Sequence, residues 1–200
     1  MRRKTLDFLL TWVGALLTVA LLGAGGLLAW GYSFATSTVH TQMAAQKIYF
    51  PAKGSAEIAN PLIKPFLTPY AGQELLTGQQ AEVYADHFIA VHLSEIGGGL
   101  TYSQLSAKAM ADPTNKALAA SVQTMFQGTM LRSTLLTAYA FSVFATIALW
   151  SMLACFLLGL LMLVLTLLGL RHYKVVDPEV EIIAQSVTAP RAQELVGASS

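Results

Sequence analysis

Two long stretches of the chain contain no charged residue, and they lie toward its two ends. One covers residues 8–41 and the other covers residues 133–170. A helix rises about 1.5 Å per residue, so about 20 apolar residues cross the hydrocarbon layer of a bilayer. Both stretches are long enough, and we predict that each contributes one membrane-spanning helix.

The first predicted span covers residues 8–32, and its tryptophans lie near its two ends. Trp12 and Trp30 are 18 residues apart, which is about 27 Å of helix. Because Trp prefers the interface between lipid and water, this spacing suits one tryptophan at each side of the bilayer. A cleaved signal peptide is the alternative, since Ser33-Phe34-Ala35 has the pattern of a cleavage site. However, the apolar run of about 23 residues exceeds the roughly 7–15 of a usual signal core.

The second predicted span covers about residues 149–170. It contains eleven leucines, which at about −0.5 kcal/mol each favour insertion by about 5 kcal/mol. Residues 133–148 are also uncharged and contain no Pro, Asn or Asp at which the chain would turn. We therefore predict that residues 133–170 form one long helix that continues beyond the bilayer.

Basic residues flank each of the two spans on the side of the nearer chain terminus. Residues 2–4 are Arg-Arg-Lys before the first span, and Arg171 and Lys174 follow the second. Since basic flanks stay in the cytoplasm, we predict a plasma-membrane protein with both termini cytoplasmic. The predicted regions are a cytoplasmic N-terminus (1–7), an extracytoplasmic domain (33–132) and a cytoplasmic tail (171–200).

Helix-capping patterns divide the predicted extracytoplasmic domain. Gln80 follows Thr77 by three residues, and Gln104 follows Thr101 in the same way. Each pair has the pattern of a capping box, in which two side chains satisfy N–H groups at the start of a helix. We expect the first helix to stop at Gly97-Gly98-Gly99, where glycine readily ends a helix.

Other signals complete the predicted architecture. The second capped helix should end near Ala111, and Asp112 should cap a further helix that has Pro113 at its first position. Residues 49–72 contain four prolines, which predict an ordered loop without regular structure. The fold class is therefore an all-α membrane protein, with two transmembrane helices flanking a mostly helical exported domain that carries a Pro-rich loop.

Composition narrows the set of partners. Charged residues make up 12% of the chain and the net charge is +1, with no basic stripe, so we expect the lipid bilayer and not nucleic acid as a partner. Cys155 is the only cysteine, which excludes an intramolecular disulfide. No cofactor is predicted.

Candidate metal ligands are few. His87 and His92 are five residues apart on one predicted helix, which places them about 140° apart around its axis. His92 and Glu95 share a face, but a complete site would need a third ligand. We therefore predict neither a metal site nor catalytic residues, and keep His87, His92 and Glu95 as weak candidates.

Small residues recur every fourth position in both spans, and this spacing lets two helices approach closely. The contact would join the chain's own two spans, or join one span to a second copy or to another membrane protein. The candidate helix-packing residues are Ala20, Ala24, Gly25, Ala29, Ser151, Cys155 and Gly159.

Four segments carry a resemblance to a known family. They are Pro69-Tyr-Ala-Gly-Gln, Ala85-Asp-His-Phe-Ile-Ala-Val-His, Leu100-Thr-Tyr-Ser-Gln-Leu-Ser and Thr129-Met-Leu-Arg-Ser-Thr-Leu-Leu. Over about residues 50–142 the chain resembles a family of uncharacterised actinobacterial two-span membrane proteins, whose members often carry the label aromatic ring-opening dioxygenase. Such an enzyme needs a non-haem iron held by two His and a carboxylate. The resemblance implies a cell-envelope protein, and no functional residue is carried over from it.

Three hypotheses for function follow. The first is a non-enzymatic accessory or scaffold subunit that acts by association with other proteins. The second is an extracytoplasmic domain that senses a ligand or binds lipid. The third, with the least support from the residues, is a metal-dependent enzyme.

Overall fold

A computed structural model describes residues 3–175, with side chains from Thr5 onward. This part of the chain is all-α, as predicted, apart from one isolated antiparallel bridge between Tyr49 and Glu74. Of the predicted cytoplasmic regions, residues 1–2 and 176–200 lie outside the described residues. The helices are α1 (Arg3–Gln46), α2 (Ala56–Ala59), α3 (Lys64–Leu67), a 3-10 turn (Thr68–Tyr70), α4 (Gly78–Tyr84), a π-helical turn (Ala85–Ile89), α5 (Ala90–Ile96), α6 (Tyr102–Ala111) and α7 (Lys116–Val175).

Both predicted capping boxes are confirmed. The Gln80 N–H donates to Thr77 Oγ1 at 3.2 Å, and the Thr77 N–H donates to Gln80 Oε1 at 3.0 Å. Thr101 and Gln104 form the same pair of bonds at the start of α6. The predicted stop is confirmed as well, because α5 ends at Ile96, and Gly98 and Gly99 adopt positive φ angles that a side chain would oppose.

The predicted start of the last helix is wrong. α7 begins at Lys116, and the Leu118 N–H donates to Asn115 Oδ1 at 3.0 Å, so Asn115 provides the cap. Asp112 instead accepts a bond from the Thr114 hydroxyl at 3.0 Å and belongs to the turn before the helix. The helix is continuous through residues 133–148, as predicted.

The Pro-rich segment is more regular than we predicted. It contains the one-turn helices α2 and α3, followed by the 3-10 turn, and prolines occupy the first turn of α3 and of the 3-10 turn. Proline suits those positions because its missing N–H would have no helical partner there. Ile63 and Leu67 are fully buried, whereas Leu62 is exposed.

Residue contacts divide the chain into two compact units, and the first contains α1 up to Leu27 and α7 from Ser151. Within it the two helices run antiparallel and close together. A Cβ on Gly14 would lie 2.6 Å from the Thr166 hydroxyl, and one on Gly25 would lie 3.0 Å from the Phe156 ring. Backbone contact this close requires glycine at the interface.

The second unit covers residues 28–150 and holds the main hydrophobic core. Val39 and Met43 of α1 pack there with Leu135 and Ala138 of α7. The loop contributes its buried residues, and the continuous helix formed by α4, the π turn and α5 contributes one apolar face. The core residues from these elements are Phe50, Ile63, Leu67, Leu75, Ala81, Ala85 and Ile89.

Two helices of the described chain are long and apolar enough to cross a membrane. α1 extends fourteen residues past the predicted boundary at residue 32, to Gln46. The extension follows from its buried face, because Ala35, Val39 and Met43 continue the contact at helical spacing. The helix ends where Lys47 adopts a φ of 52°.

Gly78 offers a test of this packing. A Cβ at this position would lie 2.4 Å from the Ser142 Cβ and 3.1 Å from the Ala138 carbonyl. We expect Gly78→Ala to destabilise the chain by about 1–3 kcal/mol, the usual result of overpacking, and to lower Tm by several degrees. Thermal unfolding of the full chain in mild detergent, followed by circular dichroism, measures the change.

Two matched variants serve as controls. Ser142→Gly removes the two nearest clashing atoms, so Gly78→Ala should cost much less in a Ser142→Gly background than in the natural chain. The comparison is made with Ser142→Gly alone, because glycine within a helix itself costs about 0.5–1 kcal/mol. Gly23→Ala should leave Tm unchanged or slightly higher, because nothing lies within 4 Å of a Cβ there. Equal losses for Gly78→Ala and Gly23→Ala would contradict the close contact of α4 with α7.

Candidate functional site

A groove of about 410 Å³ runs between α1 and α7 in the second unit. On the α1 side its lining begins at Phe34 and ends at Gln46, followed by Ile48. On the α7 side the lining extends from Leu131 to Phe141. The volume lies in the range of ligand-binding cavities, so this groove is the main candidate functional site.

The lining of the groove is apolar and uncharged. No Asp, Glu, Lys, Arg or His lines it. The hydroxyls of Thr134 and Thr137 already donate to the carbonyls of Met130 and Ser133, at 3.0 Å and 2.9 Å. Because these hydroxyls are satisfied within their own helix, the groove offers a ligand mainly hydrocarbon contacts.

The groove rests on the packed core. Val39, Met43, Leu135 and Ala138 line it and also belong to the core cluster of the second unit. Small side chains keep the space open, since Ala138 and Ala35 occupy its walls. Close-packed interiors hold their shape, so we regard the groove as preformed.

A second candidate lies on the π turn, where one wider turn interrupts the helix between α4 and α5. Turns of this kind recur at functional sites. Here the Arg132 Nη2 donates to Asp86 Oδ1 at 2.7 Å, with both side chains about one-third exposed or more. The pair joins residues 46 positions apart in the chain, and no local pattern in the sequence indicates it. Beside the π turn, burial raises the pKa of Tyr84.

The three weak metal candidates are not brought together. The His87 ring stacks on Phe66 with centroids 3.5 Å apart. His92 Nδ1 lies 2.8 Å from the carbonyl oxygen of its own helix at Phe88. Glu95 accepts a hydrogen bond at 3.0 Å from the side-chain amide of Asn60. Among the described residues, no group of three His, Cys, Asp or Glu could hold a metal ion.

The helix-packing candidates take different positions. Gly25 and Gly159 are buried between the two helices, where Gly159 lies against Leu22. Ala20 and Ala24 are exposed, so the chain's own helix pair does not use them. The remaining candidates are partly buried: Ala29, Ser151 and Cys155.

The residues that do form the interface in the first unit include some that we did not predict. Thr11, Gly14, Thr18 and Thr166 are buried there. On α1, Gly14 follows Thr11 by three residues and Thr18 follows Gly14 by four. Gly25 then follows Thr18 by seven. Such spacing is the signature of a seam between two helices, and it is readable in the sequence once small polar residues are counted together with apolar ones.

No protein-family model matches the chain, and no curated protein or solved structure is significantly similar to it. The resemblance to actinobacterial two-span membrane proteins therefore stays a prediction.

The contact between Asp86 and Arg132 predicts a measurable coupling. We expect a double-mutant cycle with Asp86→Asn and Arg132→Met to give a coupling free energy of about 0.5–1 kcal/mol, the value typical of a partly exposed ion pair. Chemical unfolding of the full chain in detergent measures it. The coupling should shrink at high salt, because ions screen exposed charges. A coupling of zero at low salt would show that the two side chains do not interact.

Proposed function

We propose that this chain is an integral membrane protein that crosses the bilayer twice and acts by association with another protein, as an accessory or scaffold subunit. The observation that carries the membrane part is the exposure of its most apolar helix. The best window of α7 has a mean hydropathy of 2.8, yet only 11% of it is buried. The core helix of a soluble protein would be mostly buried, and water would oppose an apolar surface of this size.

The proposed topology has both termini in the cytoplasm and residues 33–132 outside, in the cell envelope. This topology is supported by the basic residues that lie between each apolar stretch and the nearer chain terminus. Trp12 and Trp30 on α1, together with Trp150 on α7, suit the interfaces of the bilayer because all three are exposed. The resemblance to envelope proteins points in the same direction.

Labelling of single cysteines tests this topology. In a Cys155→Ser background, an impermeant maleimide should label Ala107→Cys on intact cells. Thr5→Cys should be labelled only after the cells are opened. Both positions are exposed, so a difference in labelling reports the side of the membrane. Labelling of Thr5→Cys on intact cells would overturn the proposed orientation.

Association with a protein is supported by exposed apolar residues outside the proposed span. Phe126 and Met130 are 45% and 53% exposed, and the Tyr102 ring lies 5.7 Å from that of Phe126. Phe126 precedes Trp150 by 24 residues, which is about 36 Å along the helix. The bilayer itself does not reach residues that far from its interface, and aromatic residues and Met are enriched where proteins bind proteins.

The proposed span offers a further contact surface. Ala20 and Ala24 are exposed and four residues apart on α1. Small residues at this spacing allow a partner helix to approach closely within the bilayer. The partner would then be a membrane protein or a second copy of this chain.

Photocrosslinking tests the association. We expect p-benzoylphenylalanine at Met130, in full-length protein in its native membrane, to give a crosslinked product that mass spectrometry identifies. The same group at Thr124 should crosslink much less, because this exposed position is two residues from Phe126 and therefore lies about 200° around the helix from it. Phe126→Ser should weaken the association about tenfold, because truncation of a central apolar contact typically costs more than 1 kcal/mol. Equal crosslinking at both positions, or none, would contradict the proposal.

A second candidate function is lipid or ligand binding by the extracytoplasmic domain, and the uncharged groove between α1 and α7 favours it. No observation favours the third hypothesis, a metal-dependent enzyme, because His87, His92 and Glu95 each contact a different partner.

A further inference from the structure

We propose that the groove between α1 and α7 holds one acyl chain of a phospholipid from the outer leaflet. The inference rests on the proposed insertion in a membrane. It involves residues other than those of the proposed association surface, because neither Phe126 nor Met130 lines the groove.

The dimensions of the groove suit a single hydrocarbon chain. Its α1 wall from Phe34 to Gln46 is about 18 Å long, close to the roughly 15 Å that the tails of one leaflet span. A volume of about 410 Å³ over that length gives a mean cross-section of about 23 Å². A helix with its side chains is about 10 Å wide and needs roughly 80 Å², so the groove could enclose an acyl chain, whereas a helix of a partner could only rest one face on it.

The chemistry of the lining suits the same occupant. A lipid tail makes no hydrogen bond, and it is excluded by charged or unsatisfied polar groups. No charged residue lines the groove, and the threonines on α7 have already donated their hydroxyl protons to their own helix. On the α1 wall the polar side chains are Thr38 near the middle and Gln42 and Gln46 toward the end that is farther from Trp30.

The position of the groove connects it with the surface that faces lipid. Phe34 lines the groove and stacks on Trp30, with ring centroids 5.5 Å apart. On α7, Phe141 lines the groove, and exposed apolar side chains continue from it through Phe144 and Ile147 to Trp150. An acyl chain can therefore enter from the outer leaflet along an unbroken apolar path.

A photoreactive lipid tests the proposal. Full-length protein is placed in phosphatidylglycerol vesicles that contain a phosphatidylcholine with a diazirine on one acyl chain. After irradiation, we expect mass spectrometry to find label in residues 34–46 and 131–141, in addition to the exposed faces of the spans. Label on the spans reports insertion in the bilayer, whereas label in residues 34–46 and 131–141 reports binding in the groove. The experiment therefore distinguishes failure of the groove proposal from failure of the membrane proposal.

Matched variants make the test specific. Thr134→Trp fills the groove from an exposed position and should lower labelling of the groove about tenfold. The loss of contact with only two methylene groups of the acyl chain already weakens binding by about that factor. Ser133→Trp, on the neighbouring exposed residue that does not line the groove, should leave labelling unchanged. Thr134→Val should also leave it unchanged, because the hydroxyl is already bonded to Met130.

Three results would overturn the proposal. One is label on the spans with none in the groove, and another is equal labelling of the groove in Thr134→Trp and Ser133→Trp. The third is a disulfide-linked dimer from Thr134→Cys in a Cys155→Ser background, which would assign the groove to a second copy. Circular dichroism of each variant establishes that it is folded.

Discussion

The close pairing of α1 with α7 is the contact on which the rest of the structure depends. In the second unit the buried residues of α7 include Leu135, Ala138 and Ala145, separated by three and seven positions, and in the first unit they include Gly159 and Thr166, seven positions apart. This is the spacing of a seam with 3.5 residues per turn, which keeps one face of a helix against its partner over many turns. The contact in each unit covers one narrow stripe, so most of the apolar surface of both helices remains exposed in the described chain.

The same helix therefore presents two kinds of uncovered apolar surface. From Trp150 to Leu170 the large exposed residues of α7 are mostly leucines in a charge-free stretch, and such a surface suits contact with hydrocarbon. Around Phe126 the helix carries polar residues as well, and Arg132 pairs with Asp86. An apolar patch in that setting faces water unless a partner covers it, which is why we propose that a protein binds there.

Local signals in the sequence predicted the parts of the fold that local interactions determine. The capping boxes at Thr77 and Thr101 need only two side chains three residues apart, so their positions were readable. Asn115 was missed because Asp112 and Pro113 form an equally good start, and the choice between them depends on the turn before α7. The pairing of Asp86 with Arg132 and the groove were not predictable, because each joins segments distant in sequence that only tertiary packing brings together.

The groove and the association surface meet along α7. Met130 is exposed beside Phe126, and the next residue, Leu131, lines the groove. Successive residues on a helix point about 100° apart, so a protein that covers Met130 would lie next to the rim of the groove without filling it. Leu135, one turn further on, lines the groove and is packed in the core. A single helix thus carries both proposed surfaces, and a partner bound at one of them would alter the immediate surroundings of the other.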